Sequence, residues 1–246
     1  MVAVVVVIPH SALLISSAQI LKDVQTPPTP PLFKDRRDAG RQLAQRLERY
    51  RDDDVIVLAL PRGGVPVAYE VAQALDAPLD LIVARKVGAP MQPEFGLGAV
   101  APGGILLLDQ QSVSTLGLTD ADLAPVIQQE REEMRRRLHH YRGDGLPDVA
   151  GRTVILVDDG LATGVTATAA LHAVRRLEPK QIVLAIPVCA QQTATALADD
   201  VEEVVCVSTP AEFRAVGIWY EDFGQTTDAE VMELMKAARE HEESHG

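Results

Sequence analysis

The sequence predicts an α/β fold built on an open, mostly parallel, doubly wound sheet with helices on both faces. Short aliphatic runs alternate along the chain with segments that carry a helical pattern of apolar residues. Apolar residues make up 47% of the composition and aromatic residues only 4%, so the predicted core consists of Val, Leu, Ile and Ala. Aliphatic, β-branched runs are typical of strands that are buried on both faces, as in parallel sheets.

The individual elements follow from local patterns. In residues 35–50, Ala39, Leu43 and Leu47 share one face, which predicts an amphipathic helix. Buried strands are predicted at residues 55–60, 79–84, 105–108, 154–157, 182–188 and 204–207. Helices are predicted at residues 65–75, 119–141 and 191–197, in a segment that runs to about residue 177, and at the polar C-terminal end. Residues 88–93 are predicted to form a loop, and the glycines of residues 96–104 a pliable stretch.

The sequence divides into an N-terminal apolar extension with a Pro-rich linker at residues 1–31, a main domain at residues 32–228 and a polar C-terminal helix or tail at residues 229–246. Residues 1–21 carry no charge and are long enough to span a membrane. Pro9 and several polar residues interrupt them, however, and no Lys or Arg precedes them as in a secretion signal. We therefore expect no membrane partner. The segment either packs on the domain as a strand and a short helix or forms a poorly ordered extension.

Charge and cysteine content narrow the function classes. The net charge of −12 argues against general nucleic-acid binding, although a local loop can still hold a phosphate. Cys189 and Cys206 each lie in an apolar run, and neither they nor the histidines show metal-ligand spacing. No protein-held metal site is therefore predicted. Two free cysteines are explained most simply by a reduced, cytoplasmic setting.

The strongest functional signal is the segment VILVDDGLATGVTAT at residues 154–168. A buried strand places Asp158 and Asp159 at the carboxyl edge of the sheet, where such folds bind ligands, and carboxylates accept hydrogen bonds from sugar hydroxyls. The loop that follows, which opens a helix, contains Ala162, Thr163, Gly164, Val165 and Thr166. Its small residues, hydroxyl groups and N-terminal amides are typical of a monophosphate site. Helix capping would explain one Asp or one Thr, but not the acidic pair together with this loop.

Two basic segments also follow predicted strands. Arg62, Gly63 and Gly64 come after the first strand of the domain, where a guanidinium and glycine amides suit a diphosphate. An ordinary strand-to-helix turn is the alternative. Arg85 and Lys86 come after the second strand and either contact the ligand from a mobile lid or form a solvated basic pair.

The segment FRAVGIWYEDF at residues 213–223 contains the only tryptophan. Trp219 and Tyr220 can stack on a planar base because aromatic faces suit flat π systems. Packing in the core explains a lone tryptophan equally well.

Together these motifs resemble the type I phosphoribosyltransferases over roughly residues 33–228. The 154–168 segment is similar to the family's phosphoribosyl-pyrophosphate signature, which implies that the acidic pair contacts the ribose hydroxyls and that residues 162–166 hold the 5-phosphate. The PRGG segment looks like the family's pyrophosphate loop, and the Arg-Lys pair is similar to the start of the lid in orotate-type members. Residues 213–223 are similar to part of a base-covering hood, so a small hood formed by the termini is expected.

Two positions depart from the family pattern. Gly160 stands where an aliphatic residue is usual, which is expected to loosen the turn. Ala162 stands where purine-specific members often carry an Asp that is assigned as a base, so the resemblance supplies no carboxylate base at this position.

The resemblance implies a pentosyltransferase that moves the 5-phosphoribosyl group from phosphoribosyl pyrophosphate to a nitrogen acceptor, such as a small heterocyclic nucleobase, and releases pyrophosphate. Asp158 and Asp159 would be the catalytic carboxylates, Mg²⁺ would bind mainly through phosphoribosyl pyrophosphate, and a homodimer is common in the family. The alternative is a non-catalytic regulatory protein that binds phosphoribosyl pyrophosphate or a nucleotide. A hydrolase of a phosphorylated sugar is a third possibility.

Overall fold

A computed structural model describes residues 5–7, 31–143 and 145–245. Its nine strands are β1 (Val5–Val7), β2 (Val55–Ala59), β3 (Leu79–Leu81), β4 (Arg85–Ala89), β5 (Gln92–Ala101), β6 (Ile105–Leu108), β7 (Thr153–Val157), β8 (Gln181–Val188) and β9 (Glu203–Ser208), as counted over the described residues. The α-helices in the same ranges are α1 (Arg36–Leu47), α2 (Gly64–Leu75), α3 (Gln110–Thr115), α4 (Asp120–Arg142), α5 (Val165–Arg175), α6 (Gln191–Leu197) and α7 (Asp228–His245). Short 3₁₀ helices lie at Glu48–Tyr50 and Val216–Trp219.

The central sheet has five parallel strands in the order β3-β2-β7-β8-β9. Its side chains alternate between two hydrophobic clusters: Val55 and Val57 face one, while Ile56 and Leu58 face the other. The first cluster contains residues of α1, α2, α4 and α7, and the second contains residues of α5 and α6. The predicted parallel sheet with helices on both faces is confirmed.

The sheet topology brings two predicted ligand loops together. Strands β2 and β7 are neighbours and pair in parallel, with Leu58 opposite Leu156. Leu60, just beyond β2, donates its backbone N–H to the carbonyl of Val157 at 2.9 Å. The PRGG segment and the acidic pair therefore start side by side at the same edge of the sheet.

A second sheet of four strands, in the order β1-β6-β5-β4, corrects one part of the sequence analysis. The loop predicted at residues 88–93 is the end of a hairpin, and the stretch predicted to be pliable lies largely within β5. Strand β5 pairs in antiparallel fashion with both β4 and β6. Glycines lower the intrinsic strand preference, but partners on both sides satisfy the backbone groups of β5 and hold it extended.

The two terminal regions of the main domain form a small hood. Leu32 and Phe33 donate their backbone N–H groups to the carbonyl of Trp219, and Phe33 pairs with Tyr220. A third hydrophobic cluster joins Phe33, Trp219 and Tyr220 to Val188 of β8. The hood is therefore packed on the end of the central sheet, as the family resemblance implied.

The predicted polar C-terminal helix corresponds to α7. It buries Val231, Leu234 and Met235 in the first hydrophobic cluster, so only part of its surface is polar.

Strand β1 pairs in parallel with β6, whereas the remainder of residues 1–30 lies outside the described residues. Across the described chain, no helix combines the length and hydropathy needed to cross a bilayer. The division at residues 31 and 228 stays a prediction.

Candidate active site at the carboxyl edge of the parallel sheet

The acidic pair lies directly beyond β7 at a turn of the backbone. The N–H of Asp159 donates to Oδ1 of Asp158 at 2.8 Å, which fixes the two residues relative to each other. Nε of Arg36 donates to Oδ2 of Asp159 at 2.8 Å, and the hydroxyl of Tyr220 donates to the Asp159 carbonyl at 2.5 Å. One residue of α1 and one of the hood thus hold Asp159.

Burial and mutual repulsion make this pair hard to ionise. Burial raises the pKa of Asp158 well above its usual range, and the neighbouring charge of Asp159 raises it further. Burial also raises the pKa of Asp159, but the Arg36 guanidinium opposes that rise. Arg36 therefore opposes the pKa rise through a direct hydrogen bond at Asp159, but only through its charge at Asp158.

The PRGG loop packs tightly against the acidic pair. The bond between Pro61 and Arg62 is a cis peptide. A Cβ atom on Gly63 would lie 2.0 Å from Oδ2 of Asp159, so only glycine fits at this position. Arg62 reaches toward the start of α7, where its Nη1 is 3.4 Å from Oδ1 of Asp228. The same Asp228 oxygen accepts a hydrogen bond from Tyr141 at 2.6 Å.

The predicted phosphate loop is the most exposed part of the site. Ala162, Thr163 and Val165 are exposed, and Thr166 is half-buried. Gly164 precedes α5 without a capping side chain from the described residues, so the first N–H groups of the helix face this exposed loop. From α6, the hydroxyl of Thr193 donates to the carbonyl of Ala162.

Gly160, which departs from the family pattern, lies against the hood. A Cβ atom on Gly160 would lie 2.3 Å from Cγ1 of Val216. An aliphatic residue at this position would therefore collide with the 3₁₀ helix that starts at Val216. The sequence predicts that Gly160 loosens the turn; in the structure, Gly160 permits the hood to pack directly on it.

The remaining predicted ligand residues contact other parts of the protein. Trp219 is buried and stacks on Phe213 with ring centroids 6.4 Å apart, which favours the core-packing interpretation. Tyr220 is also buried, with its ring against Phe33 at 5.1 Å.

The predicted basic pair lies in β4 and not in a loop. Arg85 forms an ion pair with Glu130 of α4 at 2.8 Å, and Lys86 donates to the carbonyl of Glu94 across the hairpin at 2.9 Å. The structure thus brings together the acidic pair, the glycines and the phosphate loop, while Arg85 pairs with α4 and Lys86 bonds across the hairpin.

Two residues of this site, Arg36 and Thr193, are not predicted by the sequence. Arg36 has the appearance of a solvated residue on the polar face of α1, and its contact with Asp159 spans 123 positions. Thr193 lies in a short helix without a motif, and only the fold places it over Ala162. Among the described residues, no group of three or more His, Cys, Asp or Glu side chains is arranged to hold a metal ion.

Comparisons with known proteins agree with this geometry. The family model of the phosphoribosyl transferase domain matches residues 34–220. Proteins from two strains of Mycobacterium tuberculosis, each named putative phosphoribosyl transferase, are 45% identical over 209 residues, or 84% of this chain. The chain covers only 47% of the length of these relatives. The crystal structure of TT1426 from Thermus thermophilus has a TM-score of 0.69 and 42% identity, covering 82% of this chain and 97% of that one. The chain therefore belongs to the phosphoribosyl transferase domain family.

Proposed function

We propose that this protein transfers the 5-phosphoribosyl group of phosphoribosyl pyrophosphate to a nitrogen atom of a heterocyclic base. The observation that carries the proposal is the contact between two segments that are far apart in the sequence. Oδ2 of Asp159 lies against Gly63, so the loop suited to a diphosphate adjoins the carboxylates suited to ribose hydroxyls. The exposed loop at the start of α5 continues the same strand end and suits the 5-phosphate.

In this proposal, each part of the site has a separate role. Asp158 and Asp159 accept hydrogen bonds from the ribose hydroxyls, and their negative charge stabilises the cationic character that develops on the ribose ring. Arg62 and the amide of Gly63 bind the pyrophosphate. The amide of Gly64, which the sequence also suggested for this role, instead donates to the carbonyl of Leu60 at 3.0 Å. The bond from C1 to the pyrophosphate oxygen breaks, that oxygen keeps the electron pair, and the acceptor nitrogen forms the new bond to C1. The proton of the acceptor nitrogen leaves to solvent.

The donor set also suits the Mg²⁺ that the family implies. Mg²⁺ commonly binds substrate phosphates together with water and one or two carboxylates, and the acidic pair lies against the loop suited to the pyrophosphate. When bound, the ion would neutralise charge on the departing pyrophosphate. We assign it to the ligand oxygens and not to a protein cage.

One observation favours a second candidate, a regulatory protein that binds phosphoribosyl pyrophosphate or a nucleotide without turning it over. Ala162 is exposed at the site and contributes no carboxylate that could remove a proton from an acceptor. A binding protein needs the ribose and phosphate contacts but not that base.

Pyrophosphate release separates the two candidates. Protein, phosphoribosyl pyrophosphate and Mg²⁺ are incubated with a panel of purine, pyrimidine and pyridine bases. The Asp158→Asn/Asp159→Asn double variant tests the site, and Asp199→Asn/Asp200→Asn is a matched control because it neutralises another adjacent acidic pair, located beyond α6.

We expect one base to support release in the native protein and in the control, with a loss of about 100-fold or more in the double variant. Binding of phosphoribosyl pyrophosphate without release for any base would favour the regulatory protein. Equal binding in the native protein and the Asp158→Asn/Asp159→Asn variant would contradict the site assignment.

A further inference from the structure

Arg36 occupies an unusual position for a buried cation. It is the first residue of α1, where the helix dipole disfavours positive charge. Its side chain is nevertheless only 13% exposed. A buried arginine needs compensating partners, and here the partners come from the acidic pair and the hood.

Three contacts hold the guanidinium of Arg36. Nε donates to Oδ2 of Asp159 at 2.8 Å, and Nη1 donates to the carbonyl of Gly224 at 2.6 Å. The carbon at the centre of the guanidinium lies 3.9 Å from the centroid of the Phe223 ring, within the range of a cation–π contact. The side chain therefore joins α1, the acidic pair and the far end of the hood.

The next residue in the chain shows what an ordinary surface arginine does on this helix. The side chain of Arg37 is 49% exposed and pairs with Glu70 at 3.1 Å. It lies 5.3 Å from the Tyr69 ring. These contacts involve only α1 and α2, so Arg37 is a matched comparison for Arg36.

In the carboxylate of Asp159, Oδ2 is the oxygen that accepts the hydrogen bond from Arg36. Oδ2 lies 2.8 Å from Nε of Arg36, and a Cβ atom on Gly63 would come within 2.0 Å of it. Oδ1 is farther from that Gly63 position, at 3.2 Å. Fixing Oδ2 therefore fixes the direction in which Oδ1 can accept a hydrogen bond.

From this geometry we propose that Arg36 is a positioning residue that orients the Asp159 carboxylate for the ribose, and that Phe223 and Gly224 of the hood hold Arg36 in place. This inference rests on the proposed function. Arg36 itself does not touch the ribose. The hood therefore supports sugar binding through Arg36, even where the hood itself does not contact the sugar.

The test compares two ligands by isothermal titration calorimetry with Mg²⁺ present: phosphoribosyl pyrophosphate and inorganic pyrophosphate, which has no ribose. The readout is the ratio of their affinities. Arg36→Gln is expected to lower this ratio by about tenfold or more, because a charge-assisted hydrogen bond to the ribose-binding carboxylate is lost. Arg36→Lys keeps the charge and should recover part of the ratio, and Phe223→Leu should lower it by about threefold. Arg37→Gln should leave it within about twofold of the native value.

Other results of this comparison would contradict the inference. An unchanged ratio in Arg36→Gln would show that Arg36 does not position the carboxylate, and an equal loss for both ligands would indicate a general structural role. If Arg36→Gln does not fold, Arg36→Lys and Phe223→Leu carry the same comparison, and native ratios in both would overturn it. Native protein that does not bind phosphoribosyl pyrophosphate would contradict the proposed function, and the role of Arg36 would be rejected with it.

Discussion

The loop that follows β7 has two halves, and different regions of the chain hold them. The acidic half, residues 158–160, is half-buried and is held by Arg36 and by Val216 and Tyr220 of the hood. The phosphate half, residues 161–166, has three exposed residues, Ala162, Thr163 and Val165, and contacts Thr193 of α6. The terminal regions thus support the part suited to a sugar, and the core of the domain supports the part suited to a phosphate. Substitutions in the two supports should therefore have separable effects.

The largest effect is expected at the contact between Gly160 and the hood. Gly160→Ala places a Cβ 2.3 Å from Val216 Cγ1, so the hood must shift away from the acidic half. We expect a loss of about 1–3 kcal/mol in the free energy of unfolding, as for other overpacked sites. Chemical denaturation measures this loss, and the fluorescence of Trp219, the only tryptophan, reports on the hood.

The partner substitution is the control for this contact. Val216→Ala in the Gly160→Ala background removes the colliding methyl groups and should restore most of the lost stability. A double variant no more stable than Gly160→Ala alone would show that the collision with Val216 is not the cause.

A smaller effect is expected in the support of the phosphate half. Thr193→Val removes the hydroxyl that donates to the Ala162 carbonyl. Affinity for phosphoribosyl pyrophosphate should fall by about five- to tenfold, in line with the loss of one hydrogen bond of about 1 kcal/mol. Binding of inorganic pyrophosphate should be unaffected because the PRGG loop does not contact Thr193 through any hydrogen bond of the described residues.

Thr195→Val is the matched control for Thr193. Its hydroxyl donates only to the Gln191 carbonyl within α6, at 3.0 Å. If Thr195→Val weakened ligand binding as much as Thr193→Val does, the effect would belong to the helix and not to the contact with Ala162.

The smallest effect concerns the stability of the acidic half. Because the pKa of Asp158 is raised in the folded protein, its stabilising contribution is complete below the unfolded pKa and is lost as pH rises through the folded pKa. Asp158→Asn should therefore stabilise the ligand-free protein at pH 7 by roughly 1 kcal/mol, or about 2–4 °C in Tm. The difference should shrink as the pH falls toward the ordinary Asp pKa of about 3.9 and vanish below it, where Asp158 is protonated in both states.

Thermal unfolding across this pH range measures the difference. Asp159→Asn is the comparison, because it removes the charge that compensates the buried Arg36 and should not stabilise the protein. A native protein more stable than Asp158→Asn at pH 7 would show that the site does not penalise the Asp158 charge.

Local patterns predicted most of the parallel sheet and both glycine-containing loops. Strands such as β2 and β7 are continuous aliphatic runs, and their ends determine where Arg62 and Asp158 lie. The hairpin of β4 and β5 was not predicted, because the pairing of β5 with the strands before and after it in the chain overrides the low strand preference of its glycines. Arg36 could not be assigned because its partners, Asp159 and Gly224, are remote in the sequence.

The family resemblance that the sequence predicted is confirmed by the family model and by the Thermus structure. One departure from the family pattern is explained only by the fold. Gly160 has no explanation within its own segment, yet the hood accounts for it through Val216. Trp219 belongs to a residue type that can stack on a base, but in the fold it is buried beside Phe213.

The most direct test of the two-part loop is the affinity for phosphoribosyl pyrophosphate with Mg²⁺ in the native protein, Arg36→Gln, Thr193→Val and the double variant, measured by calorimetry. Because no hydrogen bond or ion pair between described residues links Arg36 to Thr193, the free-energy losses of the single variants should add in the double variant to within about 0.5 kcal/mol. Binding by the native protein with additive losses is the predicted result. A native protein that does not bind the ligand, or a double variant no weaker than one of the single variants, would contradict the account.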